Sequence, residues 1–191
     1  MIINIRGTSG AGKSHLVRSI MELYLTKIPA FIEGRKRPIS YLLQGVTTNS
    51  TFKPLFVPGH YDTPTGGCDT ISKPDDVYTL VNSAADKGYD VLFEGIMIGD
   101  DVRRCVELKK KYGVENVVVI ALNTPIEQCL AGIQSRRDMR GDDRELNPKN
   151  TISRLDRLKR SMMPRLRDAG VNAKWLSREE AFTTVKEALG L

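Results

Sequence analysis

The stretch that decides the fold is Gly7-Thr8-Ser9-Gly10-Ala11-Gly12-Lys13-Ser14, which fits the phosphate-binding pattern G-x-x-x-x-G-K-[ST] at every defined position. Residues 2–5 before it are mostly apolar and β-branched, as in a buried strand, and residues 15–25 after it carry apolar side chains at helical spacing. This order of strand, glycine loop and helix separates a true phosphate-binding loop from a glycine turn with a surface lysine. The sequence therefore predicts that the chain binds a nucleoside triphosphate.

Each part of this loop has an expected role. Backbone N–H groups of a glycine-rich loop close around a polyphosphate, and the dipole of the following helix adds to the attraction. We expect Lys13 to reach the β- and γ-phosphates and the Ser14 hydroxyl to be a Mg²⁺ ligand. ATP and Mg²⁺ are thus the predicted cofactors, held by Gly7, Thr8, Ser9, Gly10, Ala11, Gly12, Lys13, Ser14, His15 and, from a later helix, Arg137.

Length and composition predict one α/β domain over residues 1–191, because 191 residues are enough for one such core and too few for two. The longest apolar runs fall well short of the roughly 20 residues that span a bilayer, so we expect no membrane contact. The chain enters a strand directly, and we expect no signal peptide. Cys68, Cys105 and Cys129 fit neither a disulfide framework nor a zinc spacing, which favours a reduced, cytoplasmic protein.

The net charge of +6 indicates a polyanionic partner, of which nucleic acid is the commonest. The alternative is that the cations serve only to handle ATP. Two groups of basic residues are candidates for this contact: Arg35 to Arg37, and the stripe Arg154, Arg157 and Arg160 at helical spacing. Solvated surface is the default interpretation of both groups, and a DNA track is the functional one.

Alternation of strand-like and helical segments predicts a parallel sheet of about five strands with helices on both faces, the P-loop NTPase architecture. Residues 27–38 are predicted to cross the surface, residues 38–44 to form a strand and residues 47–50 a turn, in a hairpin-like excursion before the second strand. Thr124 is predicted to cap a helix whose first residue is Pro125. Further predicted strands cover residues 55–57, 89–95, 116–122 and 173–176, and further predicted helices cover residues 74–88, 102–112, 151–167 (interrupted near Pro164) and 178–189.

Acids at strand ends are the candidates for chemistry. Glu94 closes a hydrophobic strand, and we expect it to bind Mg²⁺ beside the loop; an incidental acid is the alternative. Asp62 is the predicted base that activates an acceptor hydroxyl, unless it only forms an Asx turn. Asp69 is the alternative base or an acceptor-binding group. Tyr61, next to His60, is predicted to bind the substrate by stacking on a base, or else packs locally.

Arginines near one helix end predict a closing lid at about residues 136–150. Arg136 and Arg140 are expected to screen charge on the transferred phosphoryl group, with Arg137 on the nucleotide. The alternative is a basic helix C-terminus that complements the helix dipole. Arg35 and Arg37 are the predicted substrate-binding cations.

With these residues placed, the chain resembles the small P-loop kinases. The similarity rests on the glycine loop, on Glu94 and on Leu122-Asn123-Thr124-Pro125-Ile126-Glu127-Gln128-Cys129-Leu130, a strand-to-helix signature before an arginine lid. More narrowly, Gly59-His60-Tyr61-Asp62, Gly66-Gly67-Cys68-Asp69-Thr70 and Leu92-Phe93-Glu94-Gly95 resemble the phage 5-hydroxymethyluracil DNA kinases.

The narrower resemblance implies an ATP-dependent kinase that phosphorylates 5-hydroxymethyl-deoxyuridine in DNA during thymine hypermodification, in the host cytoplasm. It also implies Asp62 as the base, as in polynucleotide kinases. Three alternatives stay open at this point: a nucleoside or nucleotide kinase, a polynucleotide 5′-hydroxyl kinase, and a nucleotide-driven switch or hydrolase without an acceptor.

Overall fold

The computed structural model describes residues 1–46, 52–63 and 66–191, which fold around a seven-stranded sheet; the predicted turn at 47–50 lies outside the described residues. The strands are β1 (Ile2–Arg6), β2 (Tyr24–Ala30), β3 (Ser40–Val46), β4 (Leu55–Pro58), β5 (Asp90–Glu94), β6 (Val117–Leu122) and β7 (Asn172–Leu176). Their spatial order is β2-β3-β4-β5-β1-β6-β7. The first strand of the chain therefore lies inside the sheet, between β5 and β6.

The sheet has a parallel part and an antiparallel extension. Strands β4, β5, β1, β6 and β7 pair in parallel, whereas β3 runs antiparallel to both β2 and β4. The predicted count of about five strands describes the parallel part, and the whole sheet has seven. Parallel strands end at one edge, which collects the loops that follow β1, β4, β5 and β6.

Strand β2 corrects the sequence analysis, which placed residues 15–25 in a helix and residues 27–38 in a surface crossing. The first helix ends at Met21, and Tyr24 to Ala30 then pair with Val46 to Ser40 of β3. Pro29 is tolerated because β2 is the edge strand, where an N–H on the outer side has no partner strand. Aromatic and β-branched residues in this stretch favour the strand once β3 offers a partner.

Helices cover both faces of the sheet, as predicted. They are α1 (Lys13–Met21), α2 (Pro74–Asp86), α3 (Arg103–Tyr112), α4 (Ile126–Asp138), α5 (Lys149–Arg157), α6 (Met163–Asp168) and α7 (Arg178–Leu189). A π-helical turn, Leu158–Met162, joins α5 to α6. It precedes Pro164, which has no N–H to continue the ladder, and the predicted interruption there is confirmed. Within the described residues, no helix is long and apolar enough to cross a membrane.

The side chains of β6 show how the two cores form. Val118, Ile120 and Leu122 pack with α1 and α7 on one face, whereas Val119 and Ala121 pack with α6 and the π-helical turn on the other. All six residues of β6 are buried, as expected of a parallel strand covered on both sides. This double cover holds the strand ends, and the loops that leave them, in fixed positions.

Candidate functional site

The glycine loop leaves β1 and enters α1, and two of its glycines are required by the packing. Gly10 and Gly12 have φ of +78° and +94°, a region that favours glycine. A Cβ on Gly10 would lie 1.9 Å from the carbonyl oxygen of Cys129 in α4, and one on Gly12 would lie 2.7 Å from Cδ of Arg178. Helix α4 and the start of α7 therefore press directly on the loop.

Two threonine hydroxyls tie the loop to other segments of the chain. The Thr8 hydroxyl donates to the carbonyl of Thr151 in α5 at 3.0 Å. The Thr124 hydroxyl donates to the carbonyl of Ala11 at 2.8 Å. The prediction of Thr124 as a helix cap was therefore wrong: α4 begins one residue later than predicted, with Pro125 at its N-cap and no side-chain cap. Instead of capping α4, the Thr124 hydroxyl fixes the loop through its hydrogen bond to Ala11.

Lys13, Ser14 and Glu94 meet at the start of α1. The Lys13 ammonium donates to the carbonyls of Gly7 and Thr8, both at 3.1 Å, and the Ser14 hydroxyl donates to Glu94 Oε1 at 2.7 Å. Glu94 reaches this point because β1 and β5 pair with Ile5 opposite Glu94. The predicted convergence of loop and strand-end acid is thus present.

Burial shifts the pKa of both charged groups in this cluster. Lys13 is 6% exposed and Glu94 1% exposed. Loss of water lowers the pKa of the Lys13 ammonium and raises the pKa of the Glu94 carboxyl, and their mutual attraction offsets part of each shift. An anionic ligand beside Lys13 and a cation beside Glu94 would therefore each stabilise the charged form of the group that they contact.

The oxygen donors of this cluster fit Mg²⁺. Mg²⁺ is usually held through one or two protein oxygens together with phosphate oxygens and water, and Ser14 and Glu94 offer a hydroxyl and a carboxylate in direct contact. Over the described ranges, no group of three or more His, Cys, Asp or Glu is placed to hold a metal on protein ligands alone. A site completed by a nucleotide is consistent with this donor set.

A cavity of about 640 Å³ opens over the cluster. Of the predicted site residues, those that line it are Ser9, Gly10, Gly12, Lys13, Ser14, His15, Arg37, Asp69, Glu94, Arg136, Arg137 and Arg140. The structure thus brings together the loop, the strand-end acid and the three arginines of the predicted lid. Arg35, Tyr61 and Asp62 are not among the lining residues that the structure describes.

Backbone carbonyls position the three arginines of the predicted lid. Arg136 Nε donates to Gly132, Arg140 Nε to Arg136, and an Arg137 guanidinium nitrogen to Arg144, at 3.0, 3.0 and 2.7 Å. Partial burial, and then the neighbouring Arg140 charge, lower the pKa of Arg136. A crowded, half-buried guanidinium is suited to an anionic ligand.

The two candidate bases have different surroundings. Asp69 lines the cavity, and its two carboxylate oxygens accept the backbone N–H groups of Ile96 and Met97 at 2.8 and 2.9 Å. Asp62 is exposed, and its Oδ1 accepts the Tyr41 hydroxyl at 2.6 Å. Both acids follow β4, so the predicted segment is at this edge of the sheet, and the choice between them stays a prediction.

The remaining acceptor residues form a packed group. Tyr61 is 5% exposed and lies against Tyr41, with ring centroids 6.4 Å apart, which is the local packing given above as the alternative to stacking. His60 is 1% exposed, and its Nε2 lies 3.2 Å from the Arg37 guanidinium. Arg35 donates to the Thr70 hydroxyl at 3.2 Å. Arg35 and Arg37 are therefore attached to the segment that carries the candidate bases.

Sequence reasoning missed three site features. Arg18 lines the cavity and donates to the Thr63 carbonyl at 3.0 Å; its position four residues after Ser14, on the same helix face, is a signal that could have found it. A Cβ on Gly67 would lie 2.2 Å from Glu94 Oε1, a contact between distant segments without a local signal. Arg6, fully buried before the loop, donates to Asn4 and to the carbonyl of Gly99, each at 2.9 Å.

The basic stripe, which spans α5 and the π-helical turn after it, is partly neutralised. Arg154 and Arg157 lie 3.4 and 3.3 Å from Asp100, and Arg160 lies 3.5 Å from Asp156. None of these three arginines is among the described residues that line the cavity. These ion pairs weaken the interpretation of the stripe as a DNA track.

Comparison with known proteins identifies the family. A protein of Pseudomonas phage PaMx11 named "5-hmdU DNA kinase" is 39% identical over 189 residues, which cover 98% of this chain and 96% of that protein. This chain belongs to the 5-hmdU DNA kinase family. A protein of the same name from Pseudomonas phage M6 is 27% identical over 160 residues, or 80% of this chain and 82% of that protein. No family model matches the chain. The resemblance drawn from the short motifs is confirmed.

Proposed function

We propose that the chain is an ATP- and Mg²⁺-dependent kinase that phosphorylates the hydroxymethyl group of 5-hydroxymethyl-deoxyuridine in DNA, as a step of thymine hypermodification. The observation that carries the proposal is the hydrogen bond of Ser14 to Glu94, with Lys13 beside it, under a cavity whose other walls carry the arginines and Asp69. Membership in the 5-hmdU DNA kinase family supports the acceptor. Because the relatives are phage proteins, we place the reaction in the cytoplasm of the infected host.

The fold supports a P-loop kinase domain over residues 1–191. The glycine loop joins β1 to α1, and β1 lies between β5 and β6. This is the point of the sheet at which the order of the strands reverses, and ligands of open α/β sheets bind at such a point. Residues 136–150 are the proposed lid, because Arg136, Arg137, Arg140 and Arg144 all line the cavity from this segment.

The nucleotide side of the reaction uses the glycine loop and the lid. Loop N–H groups and Lys13 hold the β- and γ-phosphates, and Arg136 and Arg140 screen the charge that spreads over the transferred group. Ser14 and Glu94 would hold Mg²⁺, which neutralises phosphate charge when it is bound.

The acceptor side supplies the nucleophile and the base. The hydroxymethyl oxygen attacks the γ-phosphorus, the bond from that phosphorus to the ADP oxygen breaks, and the hydroxyl proton passes to a carboxylate. Asp62 is our proposed base, with Asp69 as the alternative that lines the cavity. Arg35 and Arg37 are the proposed substrate-binding residues.

The test is transfer of labelled γ-phosphate from ATP to a panel of acceptors. The panel holds duplex DNA with internal 5-hydroxymethyluracil, the same duplex with thymine, 5′-hydroxyl oligonucleotides, free nucleosides and nucleotides. We expect label on the 5-hydroxymethyluracil DNA alone, with a KM for DNA that rises steeply with salt. Label on free nucleosides or nucleotides, or release of phosphate without any acceptor, would overturn the proposal.

A further inference from the structure

The arm, defined as β2, β3 and the connecting residues 31–39, carries an unusual run of exposed apolar side chains. Four of the eight large exposed hydrophobic residues of the described chain fall within residues 25–32. Phe31 and Ile32, at the tip of the arm, are 58% and 51% exposed. Adjacent exposed side chains of this size cost free energy in water, so a partner that covers them is expected.

The tip is held in place beside the cavity. The Ile39 N–H donates to the Ala30 carbonyl at 2.8 Å and closes the arm, and the Gly59 N–H donates to the Ile39 carbonyl at 2.7 Å. Arg35 and Arg37, three and five residues beyond Ile32, contact Thr70 and His60, which both line the cavity. These hydrogen bonds therefore fix the position of the apolar tip relative to the cavity.

The charge around the tip points to DNA. Between residues 27 and 37 the chain carries four cations and a single acid, Glu33. Arg37 lines the cavity, and Lys36 beside it is exposed. Apolar side chains flanked by cations are the arrangement with which proteins insert between base steps while the cations contact the phosphates.

The cavity itself creates the need for such insertion. The groups at its base are deeply buried, with Glu94 1% and Lys13 6% exposed. The hydroxymethyl oxygen has to reach, in line, a γ-phosphorus held inside the cavity over these groups, and a base that stays stacked in a duplex cannot enter the cavity, so the base must leave the stack. The cost of unstacking has to be offset by contacts that the enzyme makes with the opened duplex.

We infer that Phe31 and Ile32 are a wedge that enters the duplex beside the target base pair and holds the stack open while the base occupies the cavity. This inference rests on the proposed function, because it requires an internal base of DNA as acceptor. The occupant of the exposed patch is thus double-stranded DNA, and the cations of the arm contact its backbone.

The experiment compares two duplexes that differ only in the residue opposite 5-hydroxymethyluracil: adenine in one, an abasic site in the other. The variant is the full chain with Phe31→Ala and Ile32→Ala. The control is Val114→Ala, which truncates an apolar side chain that is also about half exposed, in the turn before β6. We expect the double variant to lose about tenfold or more in kcat/KM on the paired duplex and less than about threefold opposite the abasic site, where the base is already loose.

A second measurement detects the opening itself. With 2-aminopurine next to the target base, binding of the wild type to the paired duplex should raise the fluorescence, because the probe loses its stacking partner. The rise should be absent with the double variant, present with Val114→Ala, and restored by Phe31→Leu with Ile32 intact. This readout needs neither ATP nor turnover.

Each other outcome overturns the wedge. Equal losses of kcat/KM on the two duplexes would show that the tip is a general DNA contact. An unchanged kcat/KM on the paired duplex would show that the tip has no part in the reaction. Self-association of the wild type that the double variant abolishes would assign the patch to a second copy of the chain. If the wild type transfers no phosphate to any 5-hydroxymethyluracil DNA, the proposed function fails instead, which the acceptor panel shows separately.

Discussion

On the proposed nucleotide side of the cavity, the glycine loop is hydrogen-bonded to Thr124 and Thr151 and packs against Cys129, and the charged groups of Lys13 and Glu94 are almost fully buried. On the acceptor side, both Asp62 and Asp69 are exposed. The loop side thus consists of backbone groups and buried charged side chains. The proposed acceptor side consists of exposed carboxylates on the segment after β4.

This difference matches what the two proposed partners, a nucleoside triphosphate and a DNA base, would require. A triphosphate is the same in every turnover, so fixed dipoles and buried charges can be aimed at it before it binds. A base that swings out of DNA arrives along a path, and exposed side chains leave that path open. The two sides meet where Gly67 packs on Glu94.

The largest expected effect is on the nucleotide side. Lys13→Ala removes the buried ammonium at the loop, and we expect kcat to fall about 1,000-fold because the charge on the transferred group loses a fixed partner. Phosphate transfer under ATP saturation measures it, with circular dichroism to check the fold. Lys110→Ala, an exposed lysine of α3, is the control and should keep full activity. Full activity of Lys13→Ala would refute the role of the loop.

The next effect separates the two acids of the acceptor side. Asp62→Asn should lower kcat about 100-fold with little change in ATP affinity, because the amide cannot take the proton. Asp69→Asn should lower the unfolding free energy by about 1 kcal/mol, since its oxygens accept two backbone N–H groups. Single-turnover rates and urea denaturation of both variants decide the assignment. An unchanged kcat in Asp62→Asn, with a large loss in Asp69→Asn, would move the base to Asp69.

A smaller effect is expected where the sides meet. Gly67→Ala places a Cβ 2.2 Å from Glu94 Oε1, and we expect the displaced carboxylate to raise the Mg²⁺ concentration for half-maximal activity about tenfold. Gly88→Ala is the matched control, with φ of +80° against +79° for Gly67, but with open space around its Cβ. It should cost about 1 kcal/mol of stability and leave the Mg²⁺ dependence unchanged. Identical Mg²⁺ curves for the two variants would argue against Glu94 as a ligand.

The smallest effect is a pH dependence on the acceptor side. Burial, and then the Arg37 charge, lower the pKa of the His60 imidazole from its ordinary 6.5. The folded state thus binds this proton less tightly than the unfolded chain does, so this contribution to stability is complete above the unfolded pKa and is lost as the pH falls below it. We expect His60→Gln to lose less unfolding free energy than the wild type between about pH 7 and pH 5, in urea titrations. A pH slope of His60→Gln equal to that of the wild type would contradict this contribution of His60 to stability.

Local patterns predicted the parallel part of the fold well and its extension poorly. Helix α7 begins and ends where the sequence analysis placed it, because Ser177 and Glu180 form a capping box and Gly190 ends the helix in a left-handed conformation. Strand β2 escaped prediction because residues 24–30 become a strand only through pairing with β3. Their apolar side chains otherwise continue the spacing of α1.

In the site, too, the features with a local sequence signal were predicted and those that depend on distant contacts were not. The glycine loop, Glu94 and the lid arginines were predicted from their own segments, since each carries its signal within a few residues. The contacts of Thr124 with Ala11 and of Gly67 with Glu94 join residues 113 positions apart in one case and 27 in the other, so no local pattern encodes them.

The sequence by itself determined that a glycine loop with the phosphate-binding pattern lies between a buried strand and a helix, because backbone conformation at the glycines and hydrophobic periodicity are local properties. The tertiary structure decided which groups face that loop. The order of strands places β5 and β6 on either side of β1, and this order sets Glu94 beside Ser14, the lid arginines across the cavity, and the arm beside its mouth. Such neighbours are set by packing between distant segments, which depends on the whole chain.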